Sequence, residues 1–119
     1  MPKTKIPNYR MAEIYRGNHE RWKKYKLSEK GFFPVFNSFK DNYVLREVSG
    51  NALKLYLYLG LMSNNQSGET WVTIESAAAY FDKTPRTISN WVNELERKNL
   101  IRKLQLKPNS VAHTFLLPY

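Results

Sequence analysis

The chain has 119 residues, 42% hydrophobic and 14% aromatic, with nineteen Lys and Arg against ten Asp and Glu for a formal charge of +9. That length fits one domain plus an arm, and the apolar content is too high for a disordered chain. No stretch approaches the ~20 apolar residues of a membrane crossing, Met1–Pro7 lacks the features of a secretory leader, and the lack of cysteine removes disulfides, thiolate metal sites and cysteine nucleophiles. The expectation is a cytoplasmic protein with no metal, no cofactor, no membrane partner and no small-molecule substrate.

The basic excess is uneven. Residues 1–40 hold ten basic and three acidic side chains, and residues 41–119 hold nine and seven. A basic segment binds phosphate without reading sequence, because counterion release is indifferent to base identity. Two parts are expected, a basic, aromatic N-terminal extension over 1–40 and a folded domain over 41–119, with nucleic acid as the leading partner.

Residues 1–8, with two prolines and no periodicity, read as a flexible lead-in. Tyr9–Leu27 has helical spacing in Met11, Ile14, Tyr15, Trp22 and Tyr25, interleaved with six basic residues, and Gly17-Asn18 is expected to weaken or split that helix. Gly31–Phe39 places four phenylalanines around Pro34 and reads as an extended segment docking its rings on the core. Ser49-Gly50-Asn51 offers a capping residue for a helix over Ala52–Met62 whose inward face is Leu53, Tyr56, Leu57, Gly60 and Leu61; the remaining faces are apolar too, so this helix is central to the core or shared with a second subunit. Ser63–Gly68 is a loop, and Trp71-Val72 a short strand.

Thr73 caps a short helix with Ile74, Ala77, Ala78 and Phe81 inward. After the three residues Asp82–Thr84 a further helix starts at Pro85, where the missing N–H costs nothing, and ends at Lys98 before Asn99. Its inward face is Ile88, Val92 and Leu95, with Trp91 on the flank. Arg102–Leu106 and Val111–Leu117 flank a four-residue turn, Lys107–Ser110, and read as a basic hairpin with Leu104 and Leu106 on the Arg102 face. His113 reads as a strand residue satisfied by a neighbour, and Glu94 and Lys98 as a helix salt bridge at i, i+4.

Helix, short strand, helix, tight turn, helix, hairpin is the order of a winged helix-turn-helix domain. The segment from Thr73 to Lys103 resembles the helix-turn-helix of bacterial regulators at Ala78, Phe81, Thr84, Thr87, Ile88, Val92, Leu95, Leu100 and Ile101, with Asp82 and Asn99 where glycine is common. More widely, Phe33, Pro34, Leu45, Ser49, Ala52, Tyr56 and Leu59 resemble the N-terminal DNA-binding part of plasmid replication initiators of Gram-positive bacteria, and helix-turn-helix proteins of their mobile elements. The resemblance implies an α+β, mainly α fold: a three-helix core with a C-terminal β-hairpin wing, preceded by the basic extension. Initiators carry further domains and this sequence ends at Tyr119 after the hairpin, so the expected role is transcriptional control or an accessory part in replication or transfer.

With Ile88, Val92 and Leu95 inward, the outward stripe of the third helix is Arg86, Ser89, Asn90, Asn93 and Arg97. Arginine bridges O6 and N7 of guanine and asparagine N6 and N7 of adenine, so Arg86, Asn90 and Asn93 are the expected readers of a major groove in double-stranded DNA. Thr84, Pro85 and Thr87 lie at the helix N-terminus, where N–H groups and hydroxyls suit a phosphate. Arg102, Lys103, Lys107 and Asn109 of the hairpin are expected on the backbone or in a minor groove. No catalytic motif occurs, so no enzyme is expected. A homodimer is expected, because one such domain reads few base pairs. The rival reading is a protein–protein adaptor that uses its apolar surfaces.

Overall fold

The computed structural model describes residues 5–29 and 31–119, and the chain divides into two compact units, residues up to Phe32 and Phe33–Tyr119. The first unit holds α1 (Asn8–Glu29), 22 residues in one run. Residues 1–4 of the expected lead-in lie outside the described residues. The Pro7 carbonyl accepts from the N–H groups of Arg10 and Met11, which starts the helix. The break expected at Gly17-Asn18 does not occur: Arg21 Nη2 donates to Asn18 Oδ1 at 2.6 Å, so the asparagine ties two turns together rather than competing for the backbone. Tyr9, Ile14, Tyr15, Trp22 and Tyr25 are all exposed.

The second unit runs α2 (Ser38–Asp41), α3 (Val44–Glu47), α4 (Gly50–Met62), β1 (Glu69–Thr70), α5 (Ile74–Phe81), α6 (Pro85–Arg97), β2 (Ile101–Leu104) and β3 (His113–Leu116). The three strands form one antiparallel sheet in the order β1-β3-β2. This mainly helical fold with a small sheet is consistent with a winged helix-turn-helix. Its core joins Ala52, Leu55, Tyr56 and Leu59 of α4, Ala77 and Ala78 of α5, and Ile88, Trp91 and Leu95 of α6 to Leu100 and Ile101. The alanines of α5 keep side-chain bulk off the face toward α6, so the two helices can approach closely.

Caps fix the helix starts. Ser49 accepts from the Ala52 N–H, Thr73 and Ser76 form a reciprocal capping box, and Thr84 accepts from the Thr87 N–H. The two expected glycine substitutes take the left-handed geometry they must: Asp82 has φ 54° and Asn99 φ 58°. In both places the chain reverses through a paired closure, Lys83 N–H to the Ala78 carbonyl with Asp82 N–H to Ala79, and Leu100 N–H to Leu95 with Asn99 N–H to Glu96.

Several expectations are corrected. The inward face of α4 is Ala52, Leu55, Tyr56, Leu59 and Gly60, whereas Leu57 and Leu61 are exposed and Leu53 is half-buried. On α6 the buried third residue is Trp91, at 8% exposure, and Val92 is half-buried. The short strand lies two residues before Trp71-Val72, at Glu69–Thr70, because its register is set by pairing with Phe115 and Thr114. Gly31–Phe39 is not extended throughout, since α2 begins at Ser38. Phe39 is buried and stacks on Tyr56, and Phe33 packs edge-on to the same ring, but Phe32 and Phe36 are exposed. The hairpin ladder is shorter than expected, pairing Ile101–Leu104 with His113–Leu116 around a longer connection over 105–112.

Candidate nucleic-acid interface

The sequence of α6 alternates apolar and polar residues at helical steps, so burying Ile88, Trp91 and Leu95 forces Arg86, Asn90, Asn93 and Arg97 into solvent. All four are exposed; Ser89 and Thr87 are half-buried at the edge of the stripe. At the start of the helix Thr84 and Pro85 are exposed, and the Thr84 and Thr87 hydroxyls lie 3.0 Å apart above the first turn.

The hairpin brings a further cation to the stripe. Alternation along β2 buries Ile101 and turns Arg102 outward, where it lines one open concavity with Asn90, Asn93, Glu96 and Arg97. Residues from α6 and β2, five or more positions apart, thus share a surface of amide, guanidinium and carboxylate groups. Lys103 is not part of it. The same alternation turns that side chain to the other face of β2, where it is half-buried in a crevice with Val72, Thr73 and Ile74.

Lys107 and Asn109 sit at the exposed tip of the connection. Asn109 has φ 62° after Pro108, the geometry of a type II turn, and Ser110 closes it by donating to the Lys107 carbonyl and accepting the Lys107 N–H. Gln105 Nε2 donates to the Ser110 carbonyl at 2.8 Å, bracing the tip.

Glu96 is the residue of this surface that sequence reasoning missed. Its Oε2 accepts from the Lys103 N–H at 3.4 Å, joining α6 to β2 and holding Arg102 beside the helix. Its position one step from the Asn93–Arg97 stripe was visible, but the partner strand was needed to show the tie. Glu94 is also corrected. Instead of the expected bridge to Lys98, it accepts from the Ser49 N–H at 2.7 Å and the Ser49 hydroxyl at 2.8 Å, tying α6 to the start of α4. These hydrogen bonds, backbone first, hold its carboxyl below the usual carboxylate range. His113 is satisfied by neighbours, as expected: Trp71 Nε1 donates to its Nε2 at 3.0 Å and its Nδ1 meets the Glu69 carboxylate.

With this geometry in view, likeness to a known family bears directly on the central part of the chain. Residues 46–101 match the family model of a helix-turn-helix domain. In helix-turn-helix terms α5 and α6 are the paired helices and Asp82–Thr84 the turn between them. No curated protein and no solved structure matches the chain. Among the described residues no helix is long and apolar enough to cross a membrane.

Proposed function

We propose that the protein binds double-stranded DNA sequence-specifically, with α6 of its helix-turn-helix domain in the major groove. The observation that carries this reading is the convergence of Asn90, Asn93, Arg97 and Arg102 on one open surface, continuous along α6 with exposed Arg86. Arg86, Asn90 and Asn93 read bases, and Glu96 adds an acceptor suited to the amino group of cytosine. Thr84, Pro85, Thr87 and Ser89 position a phosphate at the helix start, while Arg102, Lys107 and Asn109 meet the backbone or an adjacent minor groove. Lys103 contributes charge from the far face of β2. The basic α1 adds phosphate contacts without sequence preference.

In this reading the chain is a binding protein of the cytoplasm, not an enzyme, and works as a homodimer on paired half-sites. Its role is that of a transcriptional regulator, or of an accessory factor in replication or transfer of a plasmid or other mobile element. An adaptor role within such a complex is the second reading, favoured by Leu57, Leu61 and Met62, exposed apolar residues on α4.

The test is the Arg86→Ala, Asn90→Ala double variant, titrated against a duplex selected from random sequence and against a random pool. Each bidentate contact supplies ~1–3 kcal/mol of discrimination, so the preference for the selected duplex is expected to fall at least about thirtyfold. A preference that survives the double change defeats the reading, and a wild-type chain that prefers no duplex favours the adaptor.

A further inference from the structure

A cavity of about 340 Å³ opens in the second unit between the Phe33–Phe36 segment, the Ser63–Gly68 loop and the end of the chain at Leu116–Tyr119. It shares no residue with the α6 surface. The loop wall is preformed: Asn64 Oδ1 accepts from the Gln66 and Ser67 N–H groups, and the Gly68 carbonyl accepts from the Leu116 N–H at 2.9 Å.

Tyr56 lines this cavity from α4. The residue is only 2% exposed, yet its hydroxyl makes no hydrogen bond among the described residues. Because no sealed polar side-chain atom there lacks a partner, the Tyr56 oxygen must reach open space, and the space Tyr56 borders is this cavity. That hydroxyl is therefore a donor that no group among the described residues uses, open to the acceptor of a molecule entering the cavity. The walls set the rest of the ligand. Phe33, Phe36, Tyr56 and Tyr119 present rings, the loop presents neutral amides and two serine side chains, and no charged side chain lines the cavity among the described residues. The volume falls in the range of small-molecule sites.

We propose that this cavity binds an uncharged aromatic small molecule of about two fused rings, whose carbonyl or ring acceptor accepts a hydrogen bond from the Tyr56 hydroxyl. Burial, and then nearby Tyr119, push that hydroxyl up to about 12, so it remains a neutral donor at ordinary pH. Such a molecule is a ligand held apart from the DNA-reading surface, not a substrate. The site stands or falls independently of DNA binding.

The probe is coumarin, a neutral bicyclic lactone, titrated into the full isotope-labelled chain and followed by amide resonances, with 2-naphthoate as the charged counterpart. Coumarin is expected to shift Ser67, Gly68 and Leu117 while leaving Arg86–Arg97 in place, and 2-naphthoate to bind far more weakly. Tyr56→Phe removes no hydrogen bond within the protein, so its melting temperature should not fall, whereas coumarin should bind it about tenfold more weakly. The proposal is overturned by no shift at these residues up to about 1 mM coumarin, the weak end of specific binding, by equal affinity for wild type and Tyr56→Phe, or by 2-naphthoate binding as well as coumarin.

Discussion

Glu94 shows how a single side chain can be read wrongly from spacing and correctly from geometry. At i, i+4 from Lys98 it has the pattern of a surface ion pair, worth little in water, but the Ser49 backbone and hydroxyl offer two donors at once. Since its pKa is depressed in the folded state, its contribution is present above the usual carboxylate value of 4.5 and is lost as pH falls through the lowered folded value. Denaturant unfolding of wild type and Glu94→Gln should therefore differ at neutral pH and converge in acid; a gap that persists in acid assigns the loss to packing. Gly60 makes a steric case. A Cβ there would lie 2.4 Å from the Phe33 ring, so Gly60→Ala must either shift α4 or expel that ring from its place on Tyr56. An overpacking cost of ~1–3 kcal/mol is expected, read as a lower denaturation midpoint. An unchanged midpoint would mean that Phe33 contributes nothing to the fold.

Among the elements, those with local signals were legible. The start of α6 follows from Thr84 and Pro85, its end from Asn99, and the three-residue turn from Asp82, each a residue whose backbone preference acts within one turn of chain. The face of α4 was not legible, because apolar residues surround that helix and periodicity alone cannot choose among them; the aromatic rings of Phe33 and Phe39 on Tyr56 decide it. The register of β1 was out of reach for a related reason, as its partners in β3 lie more than forty positions along the chain. The short helices α2 and α3 carry too few residues for a period, and Tyr43 between them adopts φ 61°, which no propensity favours for a bulky side chain. At the candidate site the stripe of α6 was readable, but its meeting with Arg102, the exclusion of Lys103 and the Glu96 tie all depend on strand alternation in the folded hairpin. The division of labour between elements has its own test. Deleting residues 1–32 removes α1 and its basic side chains, so the dependence of log affinity on log salt should flatten by about 0.9 for each phosphate that α1 no longer neutralises, while the selected sequence stays the same. A changed sequence preference would make α1 a reader of bases.

For the whole molecule, a charge of +9 secures attraction to any nucleic acid and says nothing about which sequence is chosen. In the proposed reading sequence choice rests on where α6 lies, and groove chemistry distinguishes the possibilities. Guanine N7 faces the major groove and adenine N3 the minor groove, so methylation of a selected duplex before binding reports which groove is occupied. The account predicts that methyl groups at specific guanine N7 positions block the wild-type chain, and that Arg86→Ala loses sensitivity at one of them. Interference confined to adenine N3, or an N7 pattern identical in Arg86→Ala, would contradict it.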